Sequence, residues 1–202
     1  MNSHDDSVHQ AFLDILMPFG GHMVAIRAVA FDESGTGDEH RFMAVAGYVL
    51  EAFESKRFSD RWGRVKAEYG IPYAHMRDAG GPSGVYEHLS RERVSEMNRK
   101  FIAIIRKHTL WGFAVTVDKN HYNSCVGNLT GFPKVYTFLA NCAISRVINW
   151  ADNTGFDGRF RYVFEAGASG EDESNIILSD IASCAQKSER SRYMGHSFVP
   201  KG

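Results

Sequence analysis

From Met23 onward, short apolar runs alternate with longer stretches of helical periodicity. Val24–Phe31 (VAIRAVAF) is apolar except for Arg27, the pattern of a strand buried on both faces. Ser34-Gly35-Thr36-Gly37-Asp38 then supplies consecutive turn formers, and Phe42–Leu50 (FMAVAGYVL) follows as a second strand, which predicts a hairpin. Gly47 inside that run signals a bulge or a close backbone approach. Glu51–Tyr69 reads as a charged helix with Phe53, Phe58, Trp62 and Val65 on one face, closed by Gly70-Ile71-Pro72. Ser90–Lys107 carries the clearest helical stripe, in Val94, Met97, Phe101, Ile104 and Ile105. Leu110–Val117 is a third strand ending at Asp118, and Pro133 opens a helix that continues over Val135–Trp150. Phe160–Phe164 is a fourth strand running into Glu165, and Glu171-Asp172-Glu173 opens a helix to about Gln186. Ser197-Phe198-Val199-Pro200 looks like the start of a fifth strand that the chain does not complete. The expected class is α/β, a mixed sheet of about five strands flanked by helices.

Composition narrows the functional classes without choosing one. The chain has 202 residues, 44% hydrophobic and 23% charged, with a formal net charge of −1. That fits one domain over residues 23–202 and excludes a disordered chain or a polycationic nucleic-acid coat. The charge is unevenly placed. Residues 1–40 carry seven acids against Arg27 alone, whereas residues 51–119 carry 13 Lys and Arg against nine acids. Three cysteines without a CxxC spacing argue against a disulfide framework or a zinc cage, so a reducing, cytoplasmic setting is expected. No apolar run reaches the ~18–20 residues of a membrane span. Residues 1–22 end in Gly20-Gly21-His22 before a second Met, and read as a leader, a tag or a mis-called start.

Candidate chemistry sits at strand ends. A desolvated carboxylate is costly unless compensated, and a divalent cation compensates it well. Asp32 and Glu33 fall where the first strand meets its turn, Asp118 ends the third strand, and Glu165 follows the fourth. If Asp32, Asp118 and Glu165 end neighbouring strands on one side of a sheet, they form a site for Mg²⁺ or Mn²⁺. Each alone is also what the first solvated residue after a strand looks like. His75, with Asp78 between glycine breaks, can serve as a proton shuttle, and Arg99 and Lys100 on the basic helix can track a phosphodiester backbone. His108, His121 and His196 are given no role. There is no GxSxG elbow, Walker loop or GxGxxG fingerprint.

The string Val29-Ala30-Phe31-Asp32-Glu33-Ser34-Gly35, followed by Phe42-Met43-Ala44-Val45-Ala46-Gly47-Tyr48-Val49, resembles the opening of the bacterial and phage family catalogued as domain of unknown function 3800. The His75 segment and the strand ending at Glu165 are similar to that family's later landmarks. The resemblance implies a ribonuclease H-like fold and a metal-dependent nuclease of a mobile-element or phage-defence type. It implies Asp32 as first ligand with Glu33 beside it, His75 as an auxiliary group, and Glu165 where the family more often has Asp. The family's Gln-x-Ala-Asp-like motif, on a helix after the fifth strand, is missing before Gly202. The chain is therefore expected to be truncated there or to have lost a ligand. The alternative reading is an inactive scaffold that binds nucleic acid or a partner protein. An unfinished sheet would also favour a homo-oligomer.

Overall fold

A computed structural model of the chain describes residues 26–74, 84–126, 129, 131–167, 171–185 and 192–199. Among the described residues, five strands and five α-helices run in the order β1 (Ile26–Ser34), β2 (Phe42–Glu51), α1 (Glu54–Tyr69), α2 (Arg91–His108), β3 (Trp111–Asp118), α3 (Lys119–Val126), α4 (Val135–Thr154), β4 (Arg159–Glu165), α5 (Glu171–Ala185) and β5 (Tyr193–Val199). These residues group into two compact units, one formed by Leu50–Leu110 and the other by the strands with α3, α4 and α5.

The expected mixed five-stranded sheet is present, in the order β3-β2-β1-β4-β5. β1 pairs parallel to β4, β4 parallel to β5, and β2 antiparallel to β3. A turn over residues 35–41 links β1 to β2 and brings Gly35 against the Phe42 backbone, so the first two strands form the expected antiparallel hairpin. β3 therefore runs with β1, and β1, β3, β4 and β5 all end at the same side of the sheet. β5 is a full seven-residue strand, in contrast to the incomplete fragment read from the sequence.

One face of this sheet carries the core. α4 lays Tyr136, Leu139, Ala140, Ala143, Val147 and Ala151 along one stripe over Val29, Phe31, Val45, Phe160 and Phe164. Phe31 and Phe164, paired in register, stack with centroids 4.4 Å apart. Gly47 shows a close approach and not a bulge: its pairing with Phe113 is regular, and a Cβ there would stand 2.5 Å from the Ala30 carbonyl oxygen.

The second unit is a helical pair. α1 ends at Gly70, whose φ of 66° is left-handed, and α2 starts at Ser90, whose hydroxyl accepts from the Arg93 N–H at 3.3 Å. Val94, Met97, Phe101 and Ile104 form the buried stripe of α2 as read from the sequence, packed with Val65, Tyr69, Ile71 and Tyr86. Ile105 is only half-buried, and His108 takes the next buried position. Phe53 departs from the expected face. It sits just before α1 and is 65% exposed, while Phe58 and Trp62 pack partly into the cluster. No helix among the described residues is long and apolar enough to cross a membrane.

Candidate metal centre

β1 extends three positions further than its apolar run, so Asp32 and Glu33 lie inside the strand and not in the turn. The parallel register pairs Phe31 with Phe164, which sets Asp32 beside Glu165, the last residue of β4. Side chains alternate faces along a strand, so with Phe31 and Phe164 in the core, Asp32 and Glu165 point to the opposite face. Glu33 belongs to the helix-covered face. At the strand ends the three reach one another: carboxylate oxygens of Asp32, Glu33 and Glu165 lie within 4.8 Å of each other. Asp32 is exposed, and Glu33 and Glu165 are half-buried. Three convergent carboxylates without Cys or His are a hard, oxygen-only donor set, of the kind that Mg²⁺ or Mn²⁺ accepts with water completing the shell.

Asp118 is not in this group. It pairs with Phe42 at the start of β2, beside Gly35, so it lies about 10 Å further along the strands than Asp32 and next to the hairpin turn. Its carboxylate accepts from Arg41 Nε at 2.7 Å and from the backbone N–H groups of Asn120 at 3.0 Å and His121 at 3.2 Å. It thus caps α3 while paired to a guanidinium. These bonds, the Arg41 one foremost, hold its carboxyl below the usual aspartate range. Next to it, Lys119 Nζ donates to the carbonyl oxygens of Gly35 at 3.0 Å and Gly37 at 2.6 Å, tying α3 to the turn.

His75 lies outside the described residues. Arg99 is exposed on α2. Lys100 donates to Glu68 at 2.5 Å, lies 3.5 Å from Glu96, and sits over the Tyr69 ring at 5.1 Å. The Glu68 contact raises its pKa, so the cation is held within a local network on the helical pair.

Sequence reasoning passed over Tyr136, a buried tyrosine in the first turn of α4. Burial raises its pKa, and the charges of Glu33, Glu171 and Glu165 add to that, so its hydroxyl lies in the field of the acidic cluster and stays protonated. In the sequence it reads as an ordinary stripe residue. Only the packing of α4 over the strand ends reveals its place.

No family model matches the sequence, and no match is found among curated proteins. Among solved structures the chain is similar to Bst-RNase HIII in complex with Mn²⁺, at 16% identity and a TM-score of 0.44, over 79% of this chain and 42% of that one. It is also similar to RNase HII of Archaeoglobus fulgidus in its complex with PCNA, at 11% identity and a TM-score of 0.42, over 88% of this chain and 62% of that one. The chain spans less than two thirds of the length of either. These likenesses assign it neither a family nor an activity.

Proposed function

We propose that the chain is a divalent-metal-dependent nuclease of ribonuclease H-like type, with Asp32, Glu33 and Glu165 holding Mg²⁺ or Mn²⁺. The observation that carries this reading is the meeting of three carboxylates from paired parallel strands, with oxygens within 4.8 Å. Bringing three negative charges together costs energy, and a cation is the simplest compensation. When bound, such cations stabilise charge on a phosphoryl group and activate water at neutral pH. Asp32, the most exposed of the three, is placed to face both metal and substrate. Glu33 and Glu165 extend from two strands that the Phe31–Phe164 stack holds in register, so the backbone that carries the donors is set before any ligand arrives. Tyr136 remains neutral beside them and can donate a hydrogen bond without adding charge.

The test is cleavage of single- and double-stranded DNA and RNA with Mg²⁺ or Mn²⁺. Asp32→Asn is expected to reduce it by about a hundredfold or more, the scale of losing a group that stabilises transition-state charge. Cleavage unchanged in that variant overturns the assignment.

A second reading, an inactive scaffold that binds nucleic acid or a partner, draws on one observation. The carboxylate on the third strand is committed to Arg41 and the α3 N-terminus, so the described cluster has three carboxylates, none of them from β3. Such a scaffold gives no metal-dependent cleavage by the wild-type chain.

A further inference from the structure

We propose that the cavity under the β1–β2 turn, beside the acidic cluster, receives one unpaired nucleobase of a single-stranded nucleic acid. The proposal rests on the nuclease reading for what its neighbour does, but the cavity's own chemistry selects its occupant. It has a volume of about 350 Å³. That is room for a base with its sugar and too little for a duplex.

Its walls come from three places. Thr36 and Asp38 belong to the turn, Tyr122 and Asn123 to α3, and Phe132 and Tyr136 to the chain entering α4. Tyr122 is fixed in place: its hydroxyl donates to the Pro133 carbonyl oxygen at 2.5 Å, and its ring packs on Phe138 with centroids 5.1 Å apart. Phe132 is 54% exposed, a large aromatic surface left in water at the lining of a cavity. Aromatic faces that are rigid or free to cover a ring are what a base stacks upon, whatever its identity. Asp38, Asn123 and Thr36 add acceptors and donors for the polar edge of a base, which an aliphatic ligand would leave unpaired. Lys119, bonded to the Gly35 and Gly37 carbonyl oxygens, clamps the α3 wall to the turn wall, so the cavity exists without its ligand.

Its position supplies the second argument. Tyr136 lines the cavity while its hydroxyl lies in the field of Glu33 and Glu165. Lys134, exposed at the α4 N-terminus, also lines it. A base seated here therefore shares Tyr136 with the acidic cluster, while the Lys134 backbone N–H at the start of α4 is already bonded to Glu173 at 2.7 Å.

The experiment measures binding of a fluorescent single-stranded oligonucleotide, of DNA and of RNA, in EDTA so that no metal contributes. Controls are the matching duplex and an oligonucleotide with abasic sites. Wild type is expected to prefer the base-bearing single strand by about tenfold over both controls, the scale of one stacked base. Phe132→Ala is expected to lose that preference, and Phe132→Trp to keep it. Equal binding of base-bearing and abasic strands, equal binding of the duplex, or an undiminished preference in Phe132→Ala overturns the proposal. Failure of the nuclease reading shows differently, as absent Mn²⁺-dependent cleavage with base-dependent binding intact.

Discussion

Asp118 and Glu33 show what a single position reveals and conceals. In the sequence Asp118, like Glu165, is an acid at a strand end, and the strand pattern by itself does not rank Glu165 above it, although the family resemblance points to Glu165 alone. Pairing separates them, because Glu165 stands across from Asp32 whereas Asp118 stands across from Phe42, at the turn. Glu33 was legible as part of the motif. That a Glu on the core-facing side reaches the cluster depends on its length and on the strand ending at the next residue, Ser34. Asp118 is thus predicted to be a structural residue. Its carboxyl is held low in the folded state by Arg41 and by the α3 N–H groups, so its contribution is present above the unfolded pKa and is lost as pH falls through the lower folded value. Asp118→Ala should lower the Tm at neutral pH, and that difference should shrink below about pH 4, near the unfolded aspartate pKa. Its Mn²⁺-induced change in Tm should equal that of wild type. A Mn²⁺ response lost along with Asp118 would place the residue in the metal centre.

Among the elements, those with a strong hydrophobic rhythm were legible and those without were not. β1, β2 and the α2 stripe follow from runs and spacings. α3 was missed because Lys-Asn-His-Tyr-Asn-Ser-Cys-Val has no apolar period and buries no residue; it is held by the adjacent Asp118 cap and by the Lys119 clamp, a contact distant in sequence. β5 looked unfinished because Gly195, His196 and Ser197 interrupt its apolar positions, and its uniformly half-buried residues suit an outermost strand. His108 extends the α2 stripe as a polar residue, its burial offset on one side only: Nδ1 lies 2.8 Å from Glu54 Oε2, while the buried Nε2 has no hydrogen-bond partner among the described residues. The hairpin offers the sharpest test. A Cβ on Gly47 would meet the Ala30 carbonyl oxygen at 2.5 Å and the Phe113 ring at 2.9 Å, contacts that need backbone or core movement. Gly47→Ala is expected to destabilise the fold by about 1–3 kcal/mol, the usual cost of overpacking, seen as a lower denaturation midpoint in urea with unchanged slope. A midpoint at or above wild type contradicts the close approach.

Over the whole molecule, the near-zero net charge conceals a local concentration of negative charge, and that concentration makes the metal reading thermodynamic as well as catalytic. Carboxylates held within 4.8 Å repel one another in the folded state and separate in the unfolded chain, so without metal the cluster works against folding. Binding to the folded state alone adds RT ln(1 + [L]/Kd), about 2.7 kcal/mol at a hundredfold excess over Kd. For a chain of this size that corresponds to a rise in Tm of roughly 5–10 °C. Asp32→Asn removes one of the repelling charges and one ligand together. The variant should therefore melt at or above the wild-type temperature in EDTA and gain little from Mn²⁺, so that the order of the two proteins reverses when metal is added. A merely damaged fold gives a different result, a variant below wild type in both conditions. Differential scanning calorimetry of the two proteins with and without Mn²⁺ separates these outcomes, and wild type unmoved by Mn²⁺ would remove the metal from the account altogether.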